Sequence, residues 1–387
     1  MAAGAGVAGG VLSGIRVADF TRVLSGPYAT MMLADFGADV IKIESPAGDE
    51  TRSWRPPTDQ DGNATYFAAI NRNKRSVVCD LAGEEGRTTA RRLAVSADVV
   101  VENFRPGVMQ RLGLGFEQVA AENPRVVYCS ITGFGAGAGA QLPGYDLVVQ
   151  ALGGLMSITG EADGPPLKVG VALVDVLTGL NAFSGILLAL RRRDQGAGAQ
   201  RLEVDLLSSL LAGLVNAGSA ALTTGRSPTR NGNVHPSIAP YETFEAADRT
   251  IAVAVGNDQQ FAALAREVGL PELATDPRFV DNGLRVQHRA ELHDLLQERF
   301  GRATGEDWQD RLATAGVPAG VVNSVEEAFA LATRLGLGMV VGEEGGPRQA
   351  ADPIRLSGAP ATYRTPPPAL GATASPQWLD LRDSDGR

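Results

Sequence analysis

From residue 15 to residue 205 the chain alternates short runs of apolar and β-branched residues with longer stretches whose apolar positions recur at helical spacing. The runs at 15–20, 38–44 (ADVIKIE), 76–81 (SVVCDL), 97–102 (ADVVVE), 125–131 (RVVYCSI) and 200–205 (QRLEVD) read as strands. Residues 28–36, 84–96, 176–193 and 206–222 read as helices, with a further helical stretch between the fourth and fifth strands. The strand runs are largely apolar at successive positions, so both faces of each strand need cover. That is the pattern of a parallel sheet between helical layers, and it predicts an α/β fold with a Rossmann-like large domain. Gly26 and Pro27 start the first helix and Gly37 stops it. Arg191, Arg192 and Arg193 end the 176–193 helix, where cations oppose the negative end of the helix dipole.

The pattern breaks at 223–240 (TTGRSPTRNGNVHPSIAP), which reads as a linker. A smaller α/β domain is expected over 241–335, with strands at 250–255 and 320–323 and helices at 259–268, 287–302, 305–315 and 325–335. Residues 1–13, rich in Gly and Ala, read as a flexible tail before a large domain of 14–222. The Pro-rich segment 336–387 reads as an extended return to the large domain.

Composition narrows the function classes. A chain of 387 residues with 44 % apolar content can bury a substantial core, which excludes wholesale disorder. The 47 glycines point to many tight turns and close backbone approaches. A net charge of −9 argues against binding nucleic acid through its phosphates, although one basic pocket can still take an anionic ligand. Two cysteines and three scattered histidines exclude a disulfide framework and make a metal site unexpected. The apolar stretch 171–190 is interrupted by Asp175, Thr178, Asn181 and Ser184, so it reads as a buried helix with its lead-in, and no membrane partner is expected. The N-terminus lacks the basic and apolar regions of a secretory leader, and the expected location is cytoplasmic.

Several motifs could carry chemistry. A literal GxGxxG at Gly4, Gly6 and Gly9 has no strand before it and so lacks the context of a dinucleotide site. Gly133 to Gly139 (GFGAGAG) follows a strand but misses that spacing, leaving a loop near a ligand. The run Asn71, Arg72, Asn73, Lys74 and Arg75 is either a solvated turn or a cationic loop beside the sheet. Glu102, Asn103, Phe104, Arg105, Pro106 and Gly107 follow the run ADVVV, at the strand edge where α/β sheets bind ligands. They form either a capped turn or a seat for an adenine ring and phosphates. Asp175, in VGVALVDVLTG, is either a helix N-cap or a carboxylate nucleophile at a helix N-terminus; Asp146, in PGYD before another apolar helix, has the same two readings.

Taken together these segments resemble the family III CoA-transferases, the group that includes formyl-CoA transferase, carnitine CoA-transferase and the α-methylacyl-CoA racemases. The similarity runs through Gly14 to Phe20 (GIRVADF), Gly26-Pro27, Phe36 to Glu44 (FGADVIKIE) and Gly48-Asp49. It continues through residues 71–75, Val101 to Gly107 (VENFRPG), Gly133-Phe134-Gly135, Tyr145-Asp146, Gly164-Pro165-Pro166 and Asp175. The order and spacing of the pieces carry it.

The resemblance implies that Asp175 is the nucleophile, with Tyr145 and Asp146 beside it. It implies that coenzyme A contacts Arg72, Asn73, Lys74, Arg75, Cys79, Asn103, Phe104, Arg105 and Arg111. The substrates would be acyl-CoA and small carboxylic acids, with Arg22, Arg52 and His235 as partners for a carboxylate. Leu24 stands where formyl-CoA transferase has a glutamine, which counts against formyl or oxalate chemistry. Ser45 replaces an arginine used there for CoA. The racemase branch has a histidine at the position of Tyr145, and a phenol with an ordinary pKa near 10 is a poor base for an α-proton. The expected reaction is therefore CoA transfer through an aspartyl-CoA thioester, with 2-methylacyl-CoA epimerisation as the alternative. The resemblance further implies an interlocked, ring-like homodimer.

Overall fold

The computed structural model describes residues 10–342, 348–374 and 376–379. The GxGxxG at Gly4, Gly6 and Gly9 lies outside the described residues. The chain separates into two compact units: Met1–Leu155, Val169–Arg226 and Ala332–Arg387 form the larger, and Met156–Lys168 with Ser227–Leu331 the smaller.

The larger unit is built on a six-stranded parallel sheet: β1 (Arg16–Asp19), β2 (Asp39–Glu44), β3 (Lys74–Val78), β4 (Val99–Glu102), β5 (Val127–Thr132) and β6 (Gln200–Asp205). Their order across the sheet is β3-β2-β1-β4-β5-β6. The uninterrupted apolar runs are explained by cover on both faces: all of β2 and β4 is buried. One core layer joins Val17, Val40, Val99, Val101 and Val127 to Ala29, Leu33, Ala182, Phe183 and Ile186. The other joins Ala18, Ile41, Val100 and Tyr128 to Leu93, Ala94 and Val119.

Local differences from the sequence reading have physical causes. The first helix begins at Ser25, not after Pro27 (Ser25–Asp35), because a proline in the first turn loses only an N–H that has no helical partner there. Leu173–Asp194 starts before Asp175, which is thus neither its N-cap nor outside it. Its composition and length would also suit a membrane span, but here Val174, Ala182, Ile186 and Leu190 join the sheet's core. The stretch 206–222 is two helices, Leu206–Gly213 and Val215–Thr224, bent by 84° where Val215 takes φ +42°.

Of the expected tail, residues 1–9 lie outside the described residues, whereas Leu12 is buried and its N–H bonds the Phe36 carbonyl at 2.9 Å. The expected linker is only partly one, since residues from Ser227 belong to the smaller unit. Met156–Lys168 joins that unit as well, although its place in the sequence falls within the expected large domain. The smaller unit carries an antiparallel sheet, β7 (Tyr241–Glu245), β8 (Thr250–Ala254) and β9 (Ala319–Val321), over a core of Phe244, Phe261, Leu264, Leu296, Phe300 and Trp308. Within the larger unit, residues 349–374 pack back against its first strands and helix: Thr362 N–H bonds the Asp35 carbonyl and Asn73 N–H the Thr365 carbonyl.

Candidate functional site

Strand order reverses between β1 and β4, and the loops leaving the carboxyl ends of those two strands bound the crevice in which α/β sheets bind ligands. The first loop is held from beneath by a buried ion cluster. Asp19, at the end of β1, accepts from Thr21, from Thr30 and from Lys74 Nζ at 3.0 Å. Lys42 Nζ donates to the Thr21 carbonyl and pairs with Asp49, each at 2.8 Å. Burial alone would raise the Asp19 pKa, but Lys74 and then Lys42 outweigh it and bring it to about 2. Within this clamp Val23 adopts φ +67°, which strains a β-branched residue.

Across the crevice Asn103 reads the loop backbone, accepting from Arg22 N–H at 2.9 Å and donating to its carbonyl at 2.7 Å. The Arg22 guanidinium lies 5.2 Å from the Phe104 ring centre and also pairs with Glu50. Phe104 and the exposed Arg105 line a cavity of about 350 Å³ over the ends of β4, β5 and β6, with Ser130, Thr132 and Arg201. The expected residues Arg22, Asn103, Phe104 and Arg105 therefore do meet at one edge. Arg111 is exposed near Gly107.

Asp175 sits in the first turn of Leu173–Asp194, 9 % exposed. The residue at the cap position is Ala172, which has no side chain to offer; the cap comes from Asp146, whose Oδ1 accepts from Val174 N–H at 2.8 Å and Asp175 N–H at 3.3 Å. Asp146 Oδ2 takes Gln150 Nε2 at 2.6 Å. Two carboxylates thus share one helix start. The consequence falls on Asp175: burial first, and the Asp146 charge second, push its pKa up from 3.8 to about 7, against a hydrogen bond from Ser25 that favours the anion. Ser25 comes this close because Gly179, one turn on from Asp175, has no side chain; a Cβ there would lie 2.7 Å from the Ser25 carbonyl oxygen. A similar crossing at Gly133 and Gly144, where a Cβ would meet the other's Cα at about 2.5 Å, fixes the loop that delivers Asp146.

Other expected residues lie elsewhere. Every polar side-chain atom of Arg72, Asn73, Lys74 and Arg75 already has a protein partner. Arg72 is bidentate to Asp35 and reaches Ala350, and Arg75 is bidentate to Asp39 and reaches Gln377. Asn73 bonds Asp35, Thr362, Arg364 and Thr365, and Lys74 joins Asp19, Asn71 and Pro27. The run thus corrects the picture of an open cationic loop: buried carboxylates and the returning C-terminal segment occupy it. Cys79 is buried, and burial lifts its thiol to about 11, despite nearby Arg92. Arg52 is bidentate to Glu44 and stacks on Phe67 with 3.7 Å to the ring centre, which commits its charge. Leu24 precedes Ser25 at the helix start. Tyr145 is 58 % exposed, and His235, in the smaller unit, accepts from Ser237 N–H at 3.1 Å.

Three residues at the carboxylate pair escaped the sequence reading: Ser25, Gln150 and Tyr66. Burial and then the charges of Asp175, Asp146 and Asp49 push the Tyr66 phenol up to about 12, which places it within their electrostatic reach. Only Ser25 had a local signal, the helix-start pattern around Gly26-Pro27.

Comparison with known proteins decides the family. The model for CoA-transferase family III matches residues 12–374. This chain belongs to that family. It is 43 % identical over 374 residues to a succinate–glutarate CoA-transferase of Agrobacterium fabrum, covering 93 % of each chain. It is 40 % identical over 352 residues to an acetyl-CoA:oxalate CoA-transferase of Acetobacter aceti, covering 90 % of each. A solved CAIB/BAIF family protein from Brucella suis superposes with a TM-score of 0.87 at 43 % identity, covering 94 % of this chain and 97 % of that one. As a family III CoA-transferase the chain is an enzyme that uses CoA thioesters and carboxylic acids as substrates.

Proposed function

We propose that this family III CoA-transferase moves CoA between small dicarboxylic acids through an aspartyl-CoA thioester on Asp175. The observation that carries the proposal is a buried carboxylate at a helix start, set beside a second carboxylate that raises its basicity. The ionised Asp175 oxygen attacks the carbonyl carbon of the donor thioester, and the C–S bond breaks to release CoA thiolate and an acyl-aspartyl anhydride. The thiolate then attacks the aspartyl carbonyl and expels the donor acid as a carboxylate, leaving the aspartyl-CoA thioester. An acceptor carboxylate repeats both steps in reverse order and regenerates the Asp175 anion. No net proton is consumed, and covalent capture preserves the thioester energy.

Dicarboxylates are favoured by the relatives: one is named for succinate and glutarate, and another, from Haloarcula hispanica, for succinyl-CoA and mesaconate at 39 % identity. Asn103, Phe104 and Arg105 at the crevice, with Arg111, supply the aromatic and cationic groups that CoA needs. The proposal retains a homodimer, which a solution mass measurement tests, and a cytoplasmic location.

The decisive experiment mixes the enzyme with succinyl-CoA alone, quenches with hydroxylamine, and looks for a hydroxamate on the peptide carrying residue 175. Modification in the wild type, its loss in Asp175→Ala, and loss of exchange in that variant support the proposal. Exchange at near wild-type rate by Asp175→Ala refutes it. Deuterium incorporation at Cα without an acceptor acid would reveal the epimerase instead.

A further inference from the structure

Gln150 is fully buried, one turn after Asp146 on the helix Asp146–Leu152, and both ends of its carboxamide are used. Nε2 donates to Asp146 Oδ2 at 2.6 Å, and Oε1 accepts from the Val169 backbone N–H at 2.9 Å. Val169 opens the short strap that runs into the helix carrying Asp175, and the other Asp146 oxygen holds the first N–H groups of that helix. One side chain therefore ties the second carboxylate to the chain that delivers the first.

We propose that Gln150 is a positioning residue for CoA transfer. Its amide holds Asp146 Oδ2 and the 169–172 strap, and together these set where the Asp175 carboxylate points. The inference rests on Asp175 as the reacting group. Asp146 accepts three N–H donors, whereas the favourable partner of Asp175 is the Ser25 hydroxyl, and burial and then the Asp146 charge raise the Asp175 pKa. Asymmetry of this kind lets two adjacent carboxyls take different roles. The groups that face Asp175 are Asp146, Ser25 from the helix Ser25–Asp35, and the Tyr66 phenol from Thr65–Ala69, with Asp49 reaching Tyr66 in turn.

Two variants test it. Gln150→Met keeps the volume and removes both hydrogen bonds. Its kcat should fall about tenfold or more while KM for succinyl-CoA changes less than about twofold, because binding groups are untouched. Gln150→Glu keeps the acceptor for Val169 and sets a second carboxyl against Asp146, a buried pair that shares a proton. The acidic limb of its kcat/KM profile for succinyl-CoA should shift by about half a pH unit or more, since the shared proton and charge of that pair lie beside Asp175. Gln150→Glu also carries the test if Gln150→Met does not fold. Wild-type kcat in Gln150→Met, or an unmoved acidic limb in Gln150→Glu, overturns the assignment. Asp175→Ala run alongside separates the two failures: residual exchange there refutes the nucleophile, and with exchange lost there the two Gln150 variants alone decide the role of that side chain.

Discussion

Replacing Asp175 by asparagine should stabilise the enzyme, and do so more strongly as pH rises. A carboxyl that ionises at 3.8 in the unfolded chain and at about 7 in the fold binds its proton more tightly when folded. Stability therefore falls as pH climbs above the unfolded value, and the fall ends once pH passes the folded value. At about 1.36 kcal/mol per pKa step, the full cost is about 4 kcal/mol. Between pH 5 and pH 8 the folded wild type gives up about 3 kcal/mol of it by linkage. Asp175→Asn cannot titrate and keeps that energy. Melting curves of both proteins without substrate, at both pH values and one scan rate, should show the gap in Tm opening by about 3 °C, at roughly 1 °C per kcal/mol for a chain of this size. Parallel shifts of the two proteins with pH would refute the burial argument. Transfer should vanish in this variant at every pH, so the charge cost and the chemistry are read separately from one substitution.

Because the proposed attacking species is the anion of free Asp175, wild-type kcat/KM for succinyl-CoA should rise with pH through an acidic limb near 7, read from initial rates at limiting succinyl-CoA. Arg52→Ala should destabilise the fold by about 3 kcal/mol, since it strips the bidentate partner from the buried Glu44 carboxylate; denaturant melts check this. Gly179→Val should cost about 1–3 kcal/mol and lower kcat, because its Cβ would lie 2.7 Å from the Ser25 carbonyl oxygen and must displace it; stability and turnover of one preparation check both.

The sheet was legible because parallel strands covered on both faces need continuous apolar runs, and such runs survive in sequence order. What stayed hidden depended on partners far along the chain. The cap of the Leu173–Asp194 helix comes from Asp146, so spacing around Asp175 suggested a self-capping residue where the structure has a buried one. The cations at 72–75 showed their charge but not their partners, Asp35 and Asp39 upstream and the C-terminal segment far downstream. The break at Val215 lies within an apolar helical pattern, LLAGLVNAG, that gives no sign of it. Tyr241–Glu245 does alternate buried and exposed positions, a strand signal lost among the turn residues before it.

In the proposed mechanism the raised basicity of Asp175 also decides which way the acyl-aspartyl anhydride opens. In an acyl-aspartyl anhydride the thiolate can expel either of two carboxylates, and the less basic one leaves more readily. A free dicarboxylic acid ionises near the ordinary carboxyl range of about 4, whereas Asp175 ionises at about 7. Thiolate attack is thereby directed to the aspartyl carbonyl, forward to aspartyl-CoA, and not back to the donor. On the acceptor half the same bias works against product, so aspartyl-CoA is the species that accumulates. Burial creates most of this bias and the Asp146 charge adds to it, so Asp146→Asn should reduce it along with the cap. With succinyl-CoA alone, acid-quenched wild-type enzyme should hold more CoA adduct at residue 175 than Asp146→Asn does, by mass spectrometry. An equal or larger adduct in the variant would show that something other than the neighbouring charge sets the partition.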